Sequence, residues 1–522
     1  MLLAPDGERG TGGVDMKRFH GWPRWPMFRK TGRWGQWRLA ALSAFSVLML
    51  SCSQGPEFPA GIDTWENDYP ASADEQQLLD DTFRIDIAEI DVTLTYHPQQ
   101  AAVDGGARVR FRMRPGQRRP RIHFDPACRG NVISEWRLDG RAWADPRSAF
   151  QVVDVAGSTQ QILEFVKEVD PAVEHELIVA YRLALPGGYP RFTTQVHDLK
   201  GSGNEELFPT LNTPHELARH RITLRVDAAV PYRCLGSGRV ERTANAAFQE
   251  WLLDSEREVA SYTLMFVLLP EADTRLREGV IAGTPVRIAA FAGGADVEAA
   301  WTELASWLPQ LAAEIGPFPM PRGLSVFLVS GGGGMEYFGG TISSLPALSH
   351  EVFHMYFACS TVARTYRDSW FDEAITSWYD QTYPDYLVPI TDGYRSNMVS
   401  SRSPVAVGFD SRAYYQGTQI IETMARLLGG RGAMAAFLGD VYRRHAFAPF
   451  ATMDLAEYFR QYSGIDLRQE FQEWFFSGGA GDAGSVPKAP ALAAPPDLTP
   501  PDEILLRYGL ERLLVHRAGG EE

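Results

Sequence analysis

The sequence predicts an α+β chain, with an antiparallel, β-rich front half and a mainly helical half behind it. Three observations predict it. Between residues 80 and 275, short segments alternate apolar and polar residues with a period of two. After residue 280 the period changes to that of a helix. The stretch "LSHEVFHMYFACSTVARTYRDSWFDEAITSWYD", which carries a metal-ligand pattern, lies wholly in the second half.

The N-terminus reads as an export signal. Arg29, Lys30, Arg33 and Arg38 precede an apolar run from Leu39 to Leu50, which ends at Ser51 and Cys52. That run is short for a membrane span and fits the apolar core of a signal peptide. "LMLSC" resembles a bacterial lipobox, with Met49 and Leu50 in place of the usual leucine and small residue. The resemblance implies lipidation at Cys52 and a protein held at the bacterial cell envelope, facing the periplasm or exterior. Residues 1–52 are thus expected to be the signal. Residues 53–80, acidic and proline-bearing, read as a tether.

Residues 80–275 hold the strand patterns: "RIDIAEIDVTLTYH", "ARVRFRMR", "RIHFD", "QILEFVKEV", "HELIVAYRLAL", "RHRITLRVDA" and "SYTLMFVLL". Turns such as "RPGQRRP" and "LPGGYP" separate them. In residues 280–477, Val297, Trp301, Leu304, Leu308, Leu311 and Ile315 form one helical stripe. "GLSVFLVS" reads as a buried strand, and helical patterns dominate from Leu345 onward. Residues 478–522 are a Gly/Ala/Pro linker and a short amphipathic helix. The formal charge of −15 argues against nucleic acid as the main partner, because phosphate binding needs a basic surface. Four cysteines without a CxxC pair argue against a cysteine-based zinc site.

His350 and His354 stand four apart, so a helix places both imidazoles on one face. Glu351 adjoins the first, completing HExxH. A catalytic zinc needs a third protein ligand and an open position. Phe357 and Ser360 stand where a metzincin has glycine and its third histidine. Glu373, separated from His354 by eighteen residues, supplies the carboxylate instead. Its apolar neighbours Trp370, Phe371, Ala374, Ile375, Trp378 and Tyr379 imply a core helix, where a carboxylate needs a partner or a metal.

This spacing resembles the aminopeptidase N and leukotriene hydrolase family of gluzincins. "GGGGMEYFGG" resembles that family's GxMEN motif at Gly333, Gly334, Met335 and Glu336, with Tyr337 in place of asparagine. "AYYQGTQ" resembles its Tyr-x-Lys-Gly helix start, with Tyr414 as the tyrosine, Tyr415 as its rival and Gly417 as the glycine. The resemblance runs from about residue 80 to 477 and implies a thermolysin-like catalytic domain. It implies one Zn2+ per chain on His350, His354 and Glu373, Glu351 as general base and Tyr414 as oxyanion donor. Glu336 would hold the α-amine of a peptide substrate, and the glycines would admit a substrate strand. Gln195 would lie near the amine, with His197 where relatives carry a second amine-binding residue. The expected activity is aminopeptidase action on peptides. A glycyl-aminopeptidase-like gluzincin, a non-peptidase zinc hydrolase, and an idle membrane-tethered peptide-binding relative are the other readings.

Overall fold

The computed structural model describes residues 73–124, 132–154, 162–185, 192–193, 204–214, 216–243, 245, 247–320, 322–390, 394–406 and 410–476. The signal segment with Cys52, residues 53–72 of the tether, Gln195, His197 and the C-terminal linker and helix lie outside the described residues. All described residues belong to one compact unit.

Helix α1, Ala73–Thr82, occupies the end of the segment read as tether. Its Leu78 and Leu79 pack on the core, and the Phe83 amide closes on Leu79 O. Apolar side chains at consecutive positions on a short helix give that segment something to bury.

The front half is built on an eight-stranded sheet. In spatial order its strands are Arg239–Thr243, Gln249–Ala260, Leu217–Val226, Ile85–His97, Ala102–Met113, Glu174–Ala184, Val132–Leu138 and Arg141–Ala142. Every neighbouring pair is antiparallel except Ile85–His97 with Leu217–Val226, which run parallel. The purely antiparallel expectation is corrected at that pair. A hairpin cannot join parallel strands, but the long excursion through the intervening strands can. The Ile85–His97 strand shows how register follows burial. Ile85 and Ile87 are buried, then Ile90, Val92, Leu94 and Tyr96. The register shift between Ile87 and Glu89 inserts one residue. A bulge there switches parity, so odd and then even positions face the same core.

The second half begins with a five-stranded mixed sheet rather than with helices. Its order is Thr274–Ile281, Thr284–Phe291, Leu324–Val329, Gly340–Ser344 and Gly334–Tyr337. Gly334–Tyr337 is therefore an edge strand. Helix α2, Val297–Glu314, crosses between the second and third of these strands, capped by Asp296, whose carboxylate accepts from Glu298 N and Ala299 N. Val297, Leu304, Leu308 and Leu311 of the expected stripe are buried, as is Ile315 just beyond the helix. Trp301 instead lies under the Arg277 guanidinium, 4.5 Å from its ring centre.

Helices α3 (Leu348–Phe353), α4 (Trp370–Asp380), α5 (Gln416–Leu427), α6 (Arg431–His445), α7 (Thr452–Ser463) and α8 (Arg468–Phe471) follow. Two hydrogen bonds tie the front half to loops beside α3 and α4. The Phe338 amide donates to Thr263 O at 2.6 Å, and the Tyr366 hydroxyl donates to Asn212 O at 2.9 Å.

Candidate metal centre and active site

Helix α3 is short and His354 is its C-cap, yet the His354 amide still closes on His350 O at 3.3 Å. The four-residue spacing therefore survives, and the two imidazole centroids lie 4.8 Å apart. Helix α4 runs past them and presents Glu373, which is buried. His350 Nε2 lies 3.1 Å and His354 Nε2 3.3 Å from the same Glu373 oxygen, Oε2. A tetrahedral zinc with bonds of about 2.0–2.1 Å sets neighbouring donor atoms about 3.3–3.4 Å apart. The histidine–carboxylate spacings match that edge, and the donor set of two imidazoles and a carboxylate suits zinc.

The outward nitrogens are held too. His350 Nδ1 meets Asp380 Oδ2 at 2.8 Å, and His354 Nδ1 meets Thr376 Oγ1 at 3.2 Å. Such partners fix the rings so that both Nε2 atoms face Glu373. Both come from α4, at the third and seventh positions after Glu373. The sequence reading passed over them. The signal was present: residues three and seven apart on a helix share one face.

The two histidines and Glu373 shift one another's ionisation. Burial alone would lower the His350 pKa, but Asp380 and Glu373 outweigh it and push it up to about 9. His354 is opposed by burial in the same way, and Glu336 and Glu373 drive it well above its ordinary value. Burial would raise Glu373, yet the two imidazoles hold it below the usual carboxylate range. The cluster thus keeps a carboxylate charged by placing positive charge against it.

Glu351 is buried, and its carboxylate groups with that of Glu336 and with the His354 imidazole. Burial, reinforced by the Glu336 charge, raises its pKa. Gly334 makes room for it: a Cβ there would lie 2.5 Å from Glu351 Cγ. Glu336 is half-buried on the edge strand, and burial raises its carboxyl as well. Gly333 has a φ of +86°, which favours glycine, and lies exposed with open space where a Cβ would stand. Met335 pairs with Ile342 of the neighbouring strand and is half-buried.

Tyr414 donates its hydroxyl to Glu373 Oε1 at 2.5 Å, and its ring stacks on His350 with centroids 6.2 Å apart. Its rival Tyr415 faces Tyr386 instead, at 5.6 Å. Gly417 lets α5 approach α4, since a Cβ would come 2.6 Å from the Ala374 Cβ. The structure therefore brings together His350, Glu351, His354, Glu373, Glu336, Gly334 and Tyr414.

No protein-family model matches the chain, and no curated protein matches it in sequence. Solved structures do. A point mutant of an M1 zinc metallopeptidase from Deinococcus radiodurans, bound to a Tyr-Ser-Ala substrate, superposes with a TM-score of 0.57 at 17% identity, covering 75% of this chain and 94% of that one. The M1 zinc metallopeptidase from Deinococcus radiodurans itself gives 0.56 at 17%, covering 75% and 93%. A two-domain M1 zinc metallopeptidase mutant bound to L-arginine gives 0.55 at 16%, covering 75% and 93%. At such identities the likeness is one of fold: this chain has a fold shared with M1 zinc metallopeptidases across three quarters of its length.

Proposed function

We propose that the protein is a zinc-dependent metallopeptidase of the gluzincin type, with a thermolysin-like catalytic domain, that removes N-terminal residues from peptides. The observation that carries this reading is the convergence of two imidazole Nε2 atoms on one oxygen of Glu373, at 3.1 and 3.3 Å. Glu351, Glu336 and Tyr414 surround that point. The shared fold with M1 zinc metallopeptidases crystallised with a peptide or an amino acid supports it.

His350, His354 and Glu373 would hold one Zn2+ per chain, with Asp380 and Thr376 orienting the two imidazoles. Bound zinc supplies a Lewis acid for the scissile carbonyl and makes its water more acidic. Glu351 takes the proton of the attacking water and delivers it to the leaving amine. Tyr414 exchanges its Glu373 acceptor for the developing oxyanion. Glu336 pairs with the substrate's α-ammonium, and the strand Gly334–Tyr337, at the edge of its sheet, lies alongside the peptide. Gln195 is included as a further contact to the amine. The reading also includes export and a lipid anchor at Cys52, supported by the apolar run from Leu39 to Leu50 before "SC".

A peptide library with free and with acetylated N-termini tests the assignment. Free peptides should lose single N-terminal residues and acetylated ones should resist. The wild type should prefer free over acetylated termini, and Glu336→Gln should lose most of that preference. Equal cleavage of both libraries by the wild type would reject an amine-anchored mechanism.

A further inference from the structure

The large apolar side chains left exposed among the described residues are valines, with two exceptions, Tyr383 and Tyr386. These two stand at 39% and 38% exposure, beside the active site. Tyr383 meets the ring of Tyr414 edge-on at 5.8 Å, and Tyr386 lies 5.9 Å beyond Tyr383. A line of tyrosine rings therefore leads from the oxyanion donor to the surface.

The line is built rather than loose. Asp380, which orients His350, also accepts from the Thr382 amide at 2.8 Å. Pro384 opens a 3-10 turn closed by Tyr386 N to Tyr383 O at 3.0 Å and Leu387 N to Pro384 O at 3.2 Å. The Ile390 amide donates to Thr423 Oγ1 on α5 at 2.9 Å. Rings held this way lose little freedom when a ligand covers them.

The direction of the line follows from the two histidines. Glu336 and Glu351 group with His354. Tyr414 stacks on His350, whose partner Asp380 anchors the turn carrying Tyr383. A peptide with its amine at Glu336 thus runs from the His354 end toward the His350 end. The residues beyond the cleaved bond then cross Tyr414 and come over Tyr383 and Tyr386. The ring step of 5.9 Å is a little under two residues of extended chain. Tyrosine faces favour apolar and aromatic side chains.

We infer that Tyr383 and Tyr386 form a leaving-side subsite, selecting oligopeptides with aromatic or large apolar residues just after the cleaved bond. The inference rests on the aminopeptidase reading for its direction. Binding separates the two. In the zinc-loaded, full-length Glu351→Gln protein, calorimetry should show Leu-Phe-Phe binding about ten-fold more tightly than Leu-Gly-Gly. That gap should vanish in Glu351→Gln/Tyr386→Ala and persist in Glu351→Gln/Tyr386→Phe. Equal affinity for the two peptides, or a gap untouched by Tyr386→Ala, would overturn the subsite. Hydrolysis of leucinamide by the wild type, a substrate too short to reach the rings, reports separately on the aminopeptidase reading.

Discussion

At the residue scale, the site depends on groups that never touch substrate. Asp380 shares its carboxylate between His350 Nδ1 and the backbone of the Tyr383 turn. Removing it frees the His350 ring to turn and weakens its basicity. Asp380→Ala should therefore lower zinc affinity by about 10–100-fold, read by competition with a chromogenic chelator. Unchanged affinity would show that packing alone orients His350. The ligands themselves were legible because HExxH and the eighteen-residue interval are fixed by helix geometry and chain reach. Asp380 and Thr376 were legible in principle, as same-face neighbours of Glu373, but only once α4 was known to be a helix facing His350 and His354. The role of Gly334 was not. It depends on Glu351 reaching across from another element, which no local pattern records.

At the element scale, the site is the meeting of α3, α4, α5 and one strand edge. Gly417 sets how closely α5 lies on α4, and Tyr414 sits one turn before it. Gly417→Ala should push the helices apart, costing about 1–3 kcal/mol as overpacking, and carry Tyr414 away from Glu373. Thermal unfolding and kcat should both fall. Gly432→Ala on α6, with open space around its Cβ position, should be neutral or slightly stabilising and serves as the control. Strands of the front sheet were readable from alternation, which survives because one face is buried. The parallel pairing of Ile85–His97 with Leu217–Val226 was not readable, since it is set by a connection far longer than any periodic window. The mixed sheet opening the second half was seen only in its central strand. The Gly334–Tyr337 edge is too short and glycine-rich to show a period.

At the scale of the whole molecule, the front half buttresses the catalytic half through buried polar groups. His123 accepts from the Asn212 amide at 3.1 Å, and Asn212 O in turn accepts from Tyr366. His220 meets Ser261 at 2.7 Å, in the turn whose Thr263 O receives the Phe338 amide. Burial lowers His123 to about 3 and His220 to about 4. Both folded-state values lie below the ordinary 6.5, so the unfolded chain binds these protons more readily. Their contribution is complete above pH 6.5 and is lost as pH falls toward 4 for His220 and toward 3 for His123, at about 1.4 kcal/mol per pH unit for each histidine. Denaturant midpoints measured from pH 7 to 5 should fall, and His220→Gln should flatten the slope. A slope unchanged by that substitution would place the acid sensitivity elsewhere.

The central claim is a zinc-dependent hydrolase in which Glu351 moves the proton while His350, His354 and Glu373 hold the metal. Metal content and Leu-Gly-Gly hydrolysis, measured together in the wild type and in Glu351→Gln, test it most directly. The expected result is one zinc per chain in both proteins and a loss of about 10²–10⁴-fold in kcat for the variant. Wild-type protein that takes up no zinc, or a Glu351→Gln variant that hydrolyses at the wild-type rate, would contradict it.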